Sequence, residues 1–339
     1  MTQGHLLKER LKHGDLRFYV PLLLALIVAL PHIYGGRVTM SIYLQCMYLV
    51  VLCVGFRLMA LTGRASIAQA AFMGVGAYVS GLLAVDHGVN PWIGLVVGGI
   101  AAGLLAAVLG FISLRLSGIY FVIITLALSE MIIRFIDWQK NFTGGEQGTA
   151  GIPHFSIGGF DFGLDPAPYY YLLLFITVLA LFVMYRMEHS RIGLALTAAG
   201  QNNLLAQHVG INVTRYRVLA WAVACFFGGM VGAFWAHYLA FVSPSDYNTM
   251  QSFWIMVYVF IGGVTSFWGP VVGAIGITFI LKEITALQDW QTLVFGGIVI
   301  VIMLFFRGGL VSIPSTLISA IKKIEAMVRR KKVPMIPVE

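Results

Sequence analysis

Seven polar or charged side chains interrupt the long apolar runs of this chain, and they are its best candidates for contact with a polar solute: Gln45, Ser66, Gln69, Thr125, Ser129, Glu130 and Arg134. Ionisable groups within apolar segments usually mark solute or ion pathways. Glu130 and Arg134 stand four residues apart with the acid first, the order that favours a helical ion pair. We expect this pair to be structural and to face the interior of a helix bundle, with gating or substrate contact as the alternative. For the other five residues, hydrogen bonding between helices is the alternative to lining a pathway.

The sequence motifs of common enzymes are missing from the chain. It has no glycine-rich phosphate loop, no Gly-Lys pair, no H-E-x-x-H and no G-x-S-x-G. Its eight histidines are dispersed without metal-ligand spacing. We therefore predict no catalytic residue, no metal site and no cofactor bound by this chain. If ATP and Mg²⁺ power its function, they bind to partner subunits.

The composition requires a membrane. The chain is 59% hydrophobic and 11% charged, with a mean hydropathy of +0.87, whereas soluble domains carry about 25% charge. A water-soluble fold could not solvate so much apolar surface, so we predict an all-α polytopic membrane protein. In such a protein the net charge of +8 reflects the placement of the loops, and we expect no nucleic-acid partner.

About ten apolar segments have the length needed to cross a bilayer. We place five in a first half, 18–136, and five in a second half, 169–306: 18–34, 40–60, 66–85, 91–114, 119–136, 169–187, 217–240, 251–266, 269–287 and 290–306. The third segment is interrupted by Gln69, Gly74 and Gly76, and the eighth is short and contains Gly262-Gly263. We expect that either can be a broken or re-entrant helix.

The basic residues predict the orientation of the segments. With the N-terminus in the cytoplasm, ten alternating crossings place 18 of the 22 Lys and Arg residues on the cytoplasmic side: Lys8, Arg10, Lys12, Arg17, Arg57, Arg64, Arg115, Arg186, Arg191, Arg215, Arg217, Arg307, Lys322, Lys323, Arg329, Arg330, Lys331 and Lys332. A different number of crossings would scatter these charges. The pattern therefore predicts that both termini are cytoplasmic.

Three segments outside the apolar runs have distinct charge. The N-terminal 1–17 and the tail 307–339 are basic, and we expect the tail to lie on the anionic lipid of the inner leaflet. The outer loop 137–168 holds four acids and one base, a net charge of −3. It is either a solvated connector or a docking surface for an extracytoplasmic partner.

The longest interior stretch that cannot lie in a membrane is 189–212, H-S-R-I-G-L-A-L-T-A-A-G-Q-N-N-L-L-A-Q-H-V-G-I-N. Apolar runs flank it on both sides, and the charge pattern places it in the cytoplasm. A polar helix of this length between two crossings suggests a loop that a partner grips. The alternative is an ordinary amphipathic helix on the cytoplasmic surface.

Four blocks, in order, resemble the bacterial branched-chain amino acid ABC permeases. The blocks are L-T-G-R-A-S-I-A-Q-A-A-F-M-G-V-G-A-Y at 61–78, R-L-S-G-I-Y-F-V-I-I-T-L-A-L-S-E-M-I-I-R at 115–134, T-G-G-E-Q-G-T-A-G-I-P at 143–153 and I-G-G-V-T-S-F-W-G-P-V-V-G-A at 261–274. Their order and spacing match over most of 40–310. The long outer loop and basic tail favour the M-type of the two paired permeases in this family. Glycine-rich blocks in the two halves, 63–81 and 262–276, suggest the inverted repeat of an importer permease.

The resemblance implies that 189–212 contains the coupling helix, which sits in a groove of an ATPase subunit. The residues that would carry this contact are Arg191, Gly193, Ala195, Ala198, Gln201, Asn202, Asn203, Ala206 and Gly210. The family pattern has charged residues where this chain has Leu194, Gly200, Gln201 and Asn203. Ion pairs with the ATPase would then be missing or replaced by neutral hydrogen bonds.

The resemblance also implies the partners and the location. They are a second homologous permease, two ABC ATPase subunits and a periplasmic substrate-binding protein, in the bacterial cytoplasmic (inner) membrane with membrane lipid around them. Leucine, isoleucine and valine are the implied substrates, with urea, other amides, or small aromatic or carboxylic acids as alternatives. An independent secondary transporter is the competing function, and an intramembrane enzyme is disfavoured because the spans lack clustered polar residues.

Overall fold

The structure, a computed structural model, describes residues 36–284 apart from positions 117, 159 and 164, together with 293, 296, 297, 299, 300, 304 and 309–312. The predicted segment 18–34 and the basic N-terminus lie outside the described residues. So do most of the segment 290–306 and most of the basic tail. The predictions made for these four regions therefore stay predictions.

Six long helices in the described chain have the length and apolar character of membrane spans. They are α1 (Arg37–Ala60), α2 (Gln69–His87), α3 (Pro91–Ser113), α4 (Ile119–Trp138), α6 (Pro166–Glu188) and α9 (Val213–Leu239). Five shorter helices complete the set: α5 (Lys140–Thr143), α7 (Arg191–Gln201), α8 (Asn203–His208), α10 (Thr249–Gly262) and α11 (Gly269–Ile284). The all-α polytopic fold is confirmed, whereas the count of ten crossings is not.

The predicted eighth crossing is shorter than expected. Helix α10 has 14 residues, which gives a length of about 21 Å against a hydrocarbon core of about 30 Å. It ends at Gly262 because Gly263 has a φ of 112°, a backbone conformation outside the helical region. The segment 251–266 is therefore a short helix followed by an irregular connection, which agrees with its weak sequence signal.

Side-chain caps explain where many helices begin. Asn90 and Asp165 each accept a hydrogen bond from the backbone N–H two residues on, and each precedes a proline at the first helical position. Asn212 and Asn248 cap α9 and α10 in the same way, through the N–H groups of Arg215 and Gln251. Such caps satisfy backbone donors that a helix leaves free at its start.

Helix α9 forms the centre of the bundle and packs against α2 and α3. Backbone contacts at Gly76, Gly98 and Gly229 bring the three helices together, because a Cβ on any of them would collide with a neighbouring helix. Gly94 and Gly98, four residues apart on α3, both lie in this contact. Large buried side chains, including Trp221 and Phe234, fill the space beside it.

Three irregular connections interrupt the helices: the first connection (61–68), the second connection (240–248) and the third connection (263–268). The second connection runs back along α2, with Val242 beside Gly81 and Tyr247 beside Gly74. Further along, Ser252 Oγ accepts a hydrogen bond from the backbone N–H of Ala70, at 3.0 Å. Helix α10 therefore begins inside the bundle, next to the start of α2.

The predicted outer loop 137–168 is an ordered structure rather than a plain connector, and it ends earlier than predicted, since α6 begins at Pro166. It contains α5, a 3-10 turn (Gly145–Gln147) and the strands β1 (Thr149–Ala150), β2 (Ser156–Ile157) and β3 (Phe160–Asp161). β1 pairs antiparallel with β4 (Phe241–Val242), and β2 pairs with β3. The carbonyl of Pro153 also accepts a hydrogen bond from His237 Nδ1 at 2.7 Å. The loop is thus fastened to the end of α9.

The glycine contact between α2, α3 and α9 generates the first prediction. A Gly229→Ala change places a Cβ 2.5 Å from Ala102 Cβ and 2.9 Å from the carbonyl oxygen of Gly98. We expect it to destabilise the chain by about 1–3 kcal/mol, because two helix backbones must separate. The measurement is the thermal unfolding midpoint in detergent. Gly228→Ala is the matched control, since its Cβ meets only ordinary contacts at 3.4 Å; equal midpoints for the two variants would contradict the prediction.

Candidate functional site

We call residues 189–212 the handle, and the handle consists of two helices rather than the single helix predicted. Asn202 separates α7 from α8 with an extended backbone, φ −151° and ψ 105°. Its side chain accepts a hydrogen bond from the backbone N–H of Leu205 and so caps α8. Ser190 caps α7 through the N–H of Ile192. Asn202, a polar residue inside the predicted single helix, therefore caps the start of a second helix.

The predicted coupling residues divide between two faces of the handle. Arg191, Gln201, Asn202 and Gly210 are exposed, and Ala198 and Asn203 are partly exposed. Gly193, Ala195 and Ala206 are buried against the chain itself. In this conformation the buried three are not accessible to a partner, and their role in the ATPase contact stays a prediction. Their small size allows the handle to lie close to the bundle.

Four apolar side chains of the handle are exposed: Leu194 (72% exposed), Leu204 (68%), Leu205 (63%) and Val209 (69%). None of them was predicted from the sequence as a contact residue, although Leu194 stands where the family pattern has a charged residue. The handle lies outside the long apolar helices. Exposed apolar side chains of this kind are typical of a protein–protein contact.

One buried arginine anchors the handle to the first connection. Arg217 Nη2 donates hydrogen bonds to the carbonyl oxygens of Thr62 and Ala199, each at 3.2 Å. Gly63 and Gly200 touch backbone to backbone beside it, and a Cβ on Gly200 would collide with the carbonyl oxygen of Leu61. The middle of the handle and the first connection are therefore in direct contact.

A second buried arginine links the end of α6, directly before the handle, to the third connection. The guanidinium of Arg57 forms a two-pronged ion pair with Glu188, the last residue of α6, with Nη2 to Oε1 at 3.0 Å. The same group donates from Nε to the carbonyl of Val264 at 2.9 Å and from Nη2 to that of Thr265 at 3.4 Å. It also lies over the ring of Phe267.

A third buried arginine lies at the same end of the bundle but does not touch the handle. Arg64 Nη1 donates to the carbonyl of Leu114 at 2.7 Å, and its guanidinium lies over the ring of Phe121. Burial, with a smaller contribution from nearby Arg217, lowers the pKa of Arg64 to about 10, so Arg64 stays charged at neutral pH. From the sequence, Arg57, Arg64 and Arg217 were predicted only as cytoplasmic loop charges, because sequence position alone does not distinguish a buried guanidinium from a solvated one.

The polar pathway candidates form two groups and one separate residue. Ser66, Gln69 and Thr125 surround the first connection, where Thr125 Oγ1 accepts a hydrogen bond from the backbone N–H of Ile67 at 3.2 Å. Gln69 Nε2 donates to the carbonyl of Ala224 at 3.3 Å, whereas Ser66 Oγ is buried and has no hydrogen-bond partner among the described residues. Gln69 thus bonds α2 to α9, and Thr125 bonds α4 to the first connection, whereas a role of either residue in a pathway stays a prediction.

The second group lies on α4 beside the start of α10. Thr249 Oγ1 is 3.1 Å from Glu130 Oε2 and 3.5 Å from Ser129 Oγ. Glu130 and Arg134 form the predicted i,i+4 ion pair at 3.0 Å, but their side chains are 45% and 70% exposed. The pair therefore faces away from the bundle, and the expectation of an interior position is wrong. Thr249 was not selected from the sequence, because threonine at a helix start is common.

Gln45 stands apart from both groups, at an exposed position of α1. It lies near Tyr48 of α1, which is also near Gln251 of α10. The structure therefore does not join Gln45 to the other pathway candidates.

Comparison with known sequences agrees with this architecture. The chain is 27% identical over 317 residues to the high-affinity branched-chain amino acid transport system permease protein LivM of Escherichia coli (strain K12), covering 87% of this chain and 74% of the relative. It is 26% identical, with the same coverage, to the protein of the same name from Salmonella typhimurium. No solved structure matches the chain.

The family comparison covers more than half of the chain. Residues 38–304 match the sequence profile described as the branched-chain amino acid transport system / permease component. The matched range includes the six long helices, the handle and the three connections. The chain therefore belongs to the family of permease components of the branched-chain amino acid transport system, which are multi-pass proteins of the bacterial inner membrane.

Proposed function

We propose that this chain is a membrane subunit of an ATP-driven importer of branched-chain or related hydrophobic amino acids. It forms the solute pathway with a second, homologous permease, and two ABC ATPase subunits and a periplasmic binding protein complete the assembly. ATP hydrolysis takes place on the ATPase subunits. The similarity to the two LivM proteins, which are named as permeases for branched-chain amino acids, supports the substrate class.

The observation that carries the proposal is the exposure of apolar side chains on the handle. Fully burying a leucine or valine side chain stabilises a contact by about 1.5–3 kcal/mol. Leu194, Leu204, Leu205 and Val209 together offer enough apolar surface for a stable contact. Leu194 stands where the family pattern has a charged residue, so the partner's groove is expected to be apolar opposite this side chain.

Removing two of these side chains tests the ATPase contact. The double variant Leu204→Ser, Leu205→Ser is expected to weaken capture of the ATPase at least about tenfold, because each lost leucine contact is worth more than ~1.4 kcal/mol. The measurement is the amount of ATPase that co-purifies with the tagged chain expressed with its partners. Leu116→Ser is the control, since Leu116 is exposed at the same end of the bundle but outside the handle. If the unmodified chain captures no ATPase, the proposed function fails.

The proposal places the handle in the cytoplasm and the loop 137–168 in the periplasm. A single cysteine at Asn203 is expected to react with a membrane-impermeant thiol reagent only after the membrane is opened, because the handle lies inside the cell. A cysteine at Ser245, which is exposed in the second connection, is expected to react in intact cells whose outer membrane has been permeabilised. The native cysteines Cys46, Cys53 and Cys225 are buried, so the parent chain serves as the control. Reaction of the cysteine at Asn203 in intact cells would exclude this orientation.

Helix α4 supports the pairing with a second permease. In the 18-residue apolar stretch of α4, only 28% of the residues are buried, compared with 67% in the corresponding stretch of α9. Its exposed face contains Ile123, Met131 and Phe135 together with the charged side chain of Arg134. Among the six long helices, α4 alone has exposed charges at least one turn from its ends, and charges facing lipid tails are costly. The exposed faces of α3 and α6 are apolar and suited to lipid.

Photo-crosslinking tests this pairing. With a benzophenone amino acid at Met131 on α4, we expect adducts with the second permease, because that face is covered by protein in the complex. The same amino acid at Leu104 on α3 or Phe182 on α6, both exposed, is expected to react mainly with lipid. Mass spectrometry of the adducts from the complete transporter identifies the partner. Adducts from Met131 that contain only lipid, or only the chain's own segment 18–34, would contradict the pairing.

An independent secondary transporter is the second candidate. Such a protein needs coupling-ion groups such as paired intramembrane acids, for which Glu130 and Glu283 are the candidates. Glu130 is already paired with Arg134 and close to Thr249, which favours the ATP-driven function. Uptake driven by a proton or sodium gradient, measured with the purified chain alone in liposomes, would establish the secondary transporter instead.

A further inference from the structure

Two buried arginines connect the handle, and the helix end directly before it, with two helix connections. Arg217 Nη2 donates to the carbonyl of Ala199 in the middle of the handle and to that of Thr62 in the first connection. The Arg57 guanidinium bonds to Glu188, the α6 residue immediately before the handle, and to the carbonyls of Val264 and Thr265 in the third connection. Both arginines are almost fully buried, Arg57 at 2% and Arg217 at 4% exposed.

These shared donors have a mechanical consequence. Carbonyl groups in irregular segments have no helical N–H partner, and a buried carbonyl without a donor is costly. The arginines therefore donate hydrogen bonds to the carbonyl groups of the connections only while the handle keeps its position. If the handle moves, a guanidinium that moves with it breaks its hydrogen bonds to the connection. A guanidinium that stays in place instead breaks its bond to Ala199 or Glu188. In both cases the bonds of the connection and the handle change together.

We propose that Arg57 and Arg217 are positioning residues that transmit a displacement of the handle to the first and third connections, and through them to α2 and α10. The inference rests on the proposed function, because only an ATPase bound to the handle would displace it. Arginine suits this task, since its planar group can hold several acceptors at once and keeps its charge when buried.

The two connections lead directly to the polar residues of the spans. Near the end of the first connection, the N–H of Ile67 donates to Thr125 Oγ1, and Gln69 begins α2 directly after it. The third connection ends α10, whose first residue, Thr249, bonds to Glu130. A movement of either connection is therefore passed to residues that lie inside the membrane. Such coupling between two distant positions requires a continuous packed route, and the arginines supply the link nearest to the handle.

The experiment uses the complete transporter in proteoliposomes and compares solute uptake with ATP hydrolysed. For Arg217→Gln and Glu188→Gln we expect ATPase capture close to that of the unmodified chain, but uptake per ATP lower by at least about fivefold. Arg217→Lys keeps one charged donor group, and we expect its uptake per ATP hydrolysed to lie between those of Arg217→Gln and the unmodified chain. A purely structural role would lower the yield of complex without changing uptake per ATP. If Arg217→Gln does not accumulate, Arg217→Lys and Glu188→Gln carry the test.

Arg64→Gln is the matched control, because it removes a buried arginine from the first connection that does not touch the handle. We expect it to lower the unfolding temperature without lowering uptake per ATP. An unchanged ratio in both Arg217→Gln and Glu188→Gln would overturn the inference, and so would an equal fall in Arg64→Gln. Failure of the unmodified chain to capture an ATPase is a different result, since it overturns the proposed function itself.

Discussion

The structure depends on the satisfaction of backbone hydrogen bonds where helices are interrupted inside a membrane protein. A bilayer offers no water to a free carbonyl or N–H, so every irregular segment needs a donor or acceptor from the protein. Side chains meet this need in the described chain. Arg57 and Arg217 serve the carbonyls of the third and first connections, Thr125 accepts from Ile67 N–H, and Ser252 accepts from Ala70 N–H. The polar residues of the spans are therefore first of all what makes the irregular connections possible.

Close helix packing makes these hydrogen bonds reachable. Gly76, Gly98 and Gly229 bring α2, α3 and α9 into backbone contact, which leaves room for the first and second connections beside α2. At the handle end, Gly63 and Gly200 touch in the same way. Without a strong hydrophobic force between helices in lipid, such van der Waals contact is a main source of association. The glycines and the buried arginines are thus two parts of one arrangement.

The sequence predicted the elements whose signal is local or compositional. Long apolar runs gave the six long helices within about three residues, and the flanking polarity located the handle. Features that depend on three-dimensional contact were not predictable in the same way. The burial of Arg57 depends on Glu188 and Val264, which are 131 and 207 residues away. The outward direction of the Glu130–Arg134 pair depends on which face of α4 the rest of the bundle covers. The division of the handle at Asn202 could have been predicted, because asparagine is a strongly preferred helix N-cap. It was missed because the polar segment 189–212 was interpreted as one helix.

The exposed apolar side chains of the handle have a consequence for the amount of this protein that accumulates in a cell. Made alone, the chain presents Leu194, Leu204, Leu205 and Val209 to water, and such surfaces promote aggregation and draw chaperones and proteases. The subunit is thus expected to survive in proportion to the supply of the chain that covers these side chains. Balanced production of the two would then follow from degradation of the uncovered excess, without separate control of each gene.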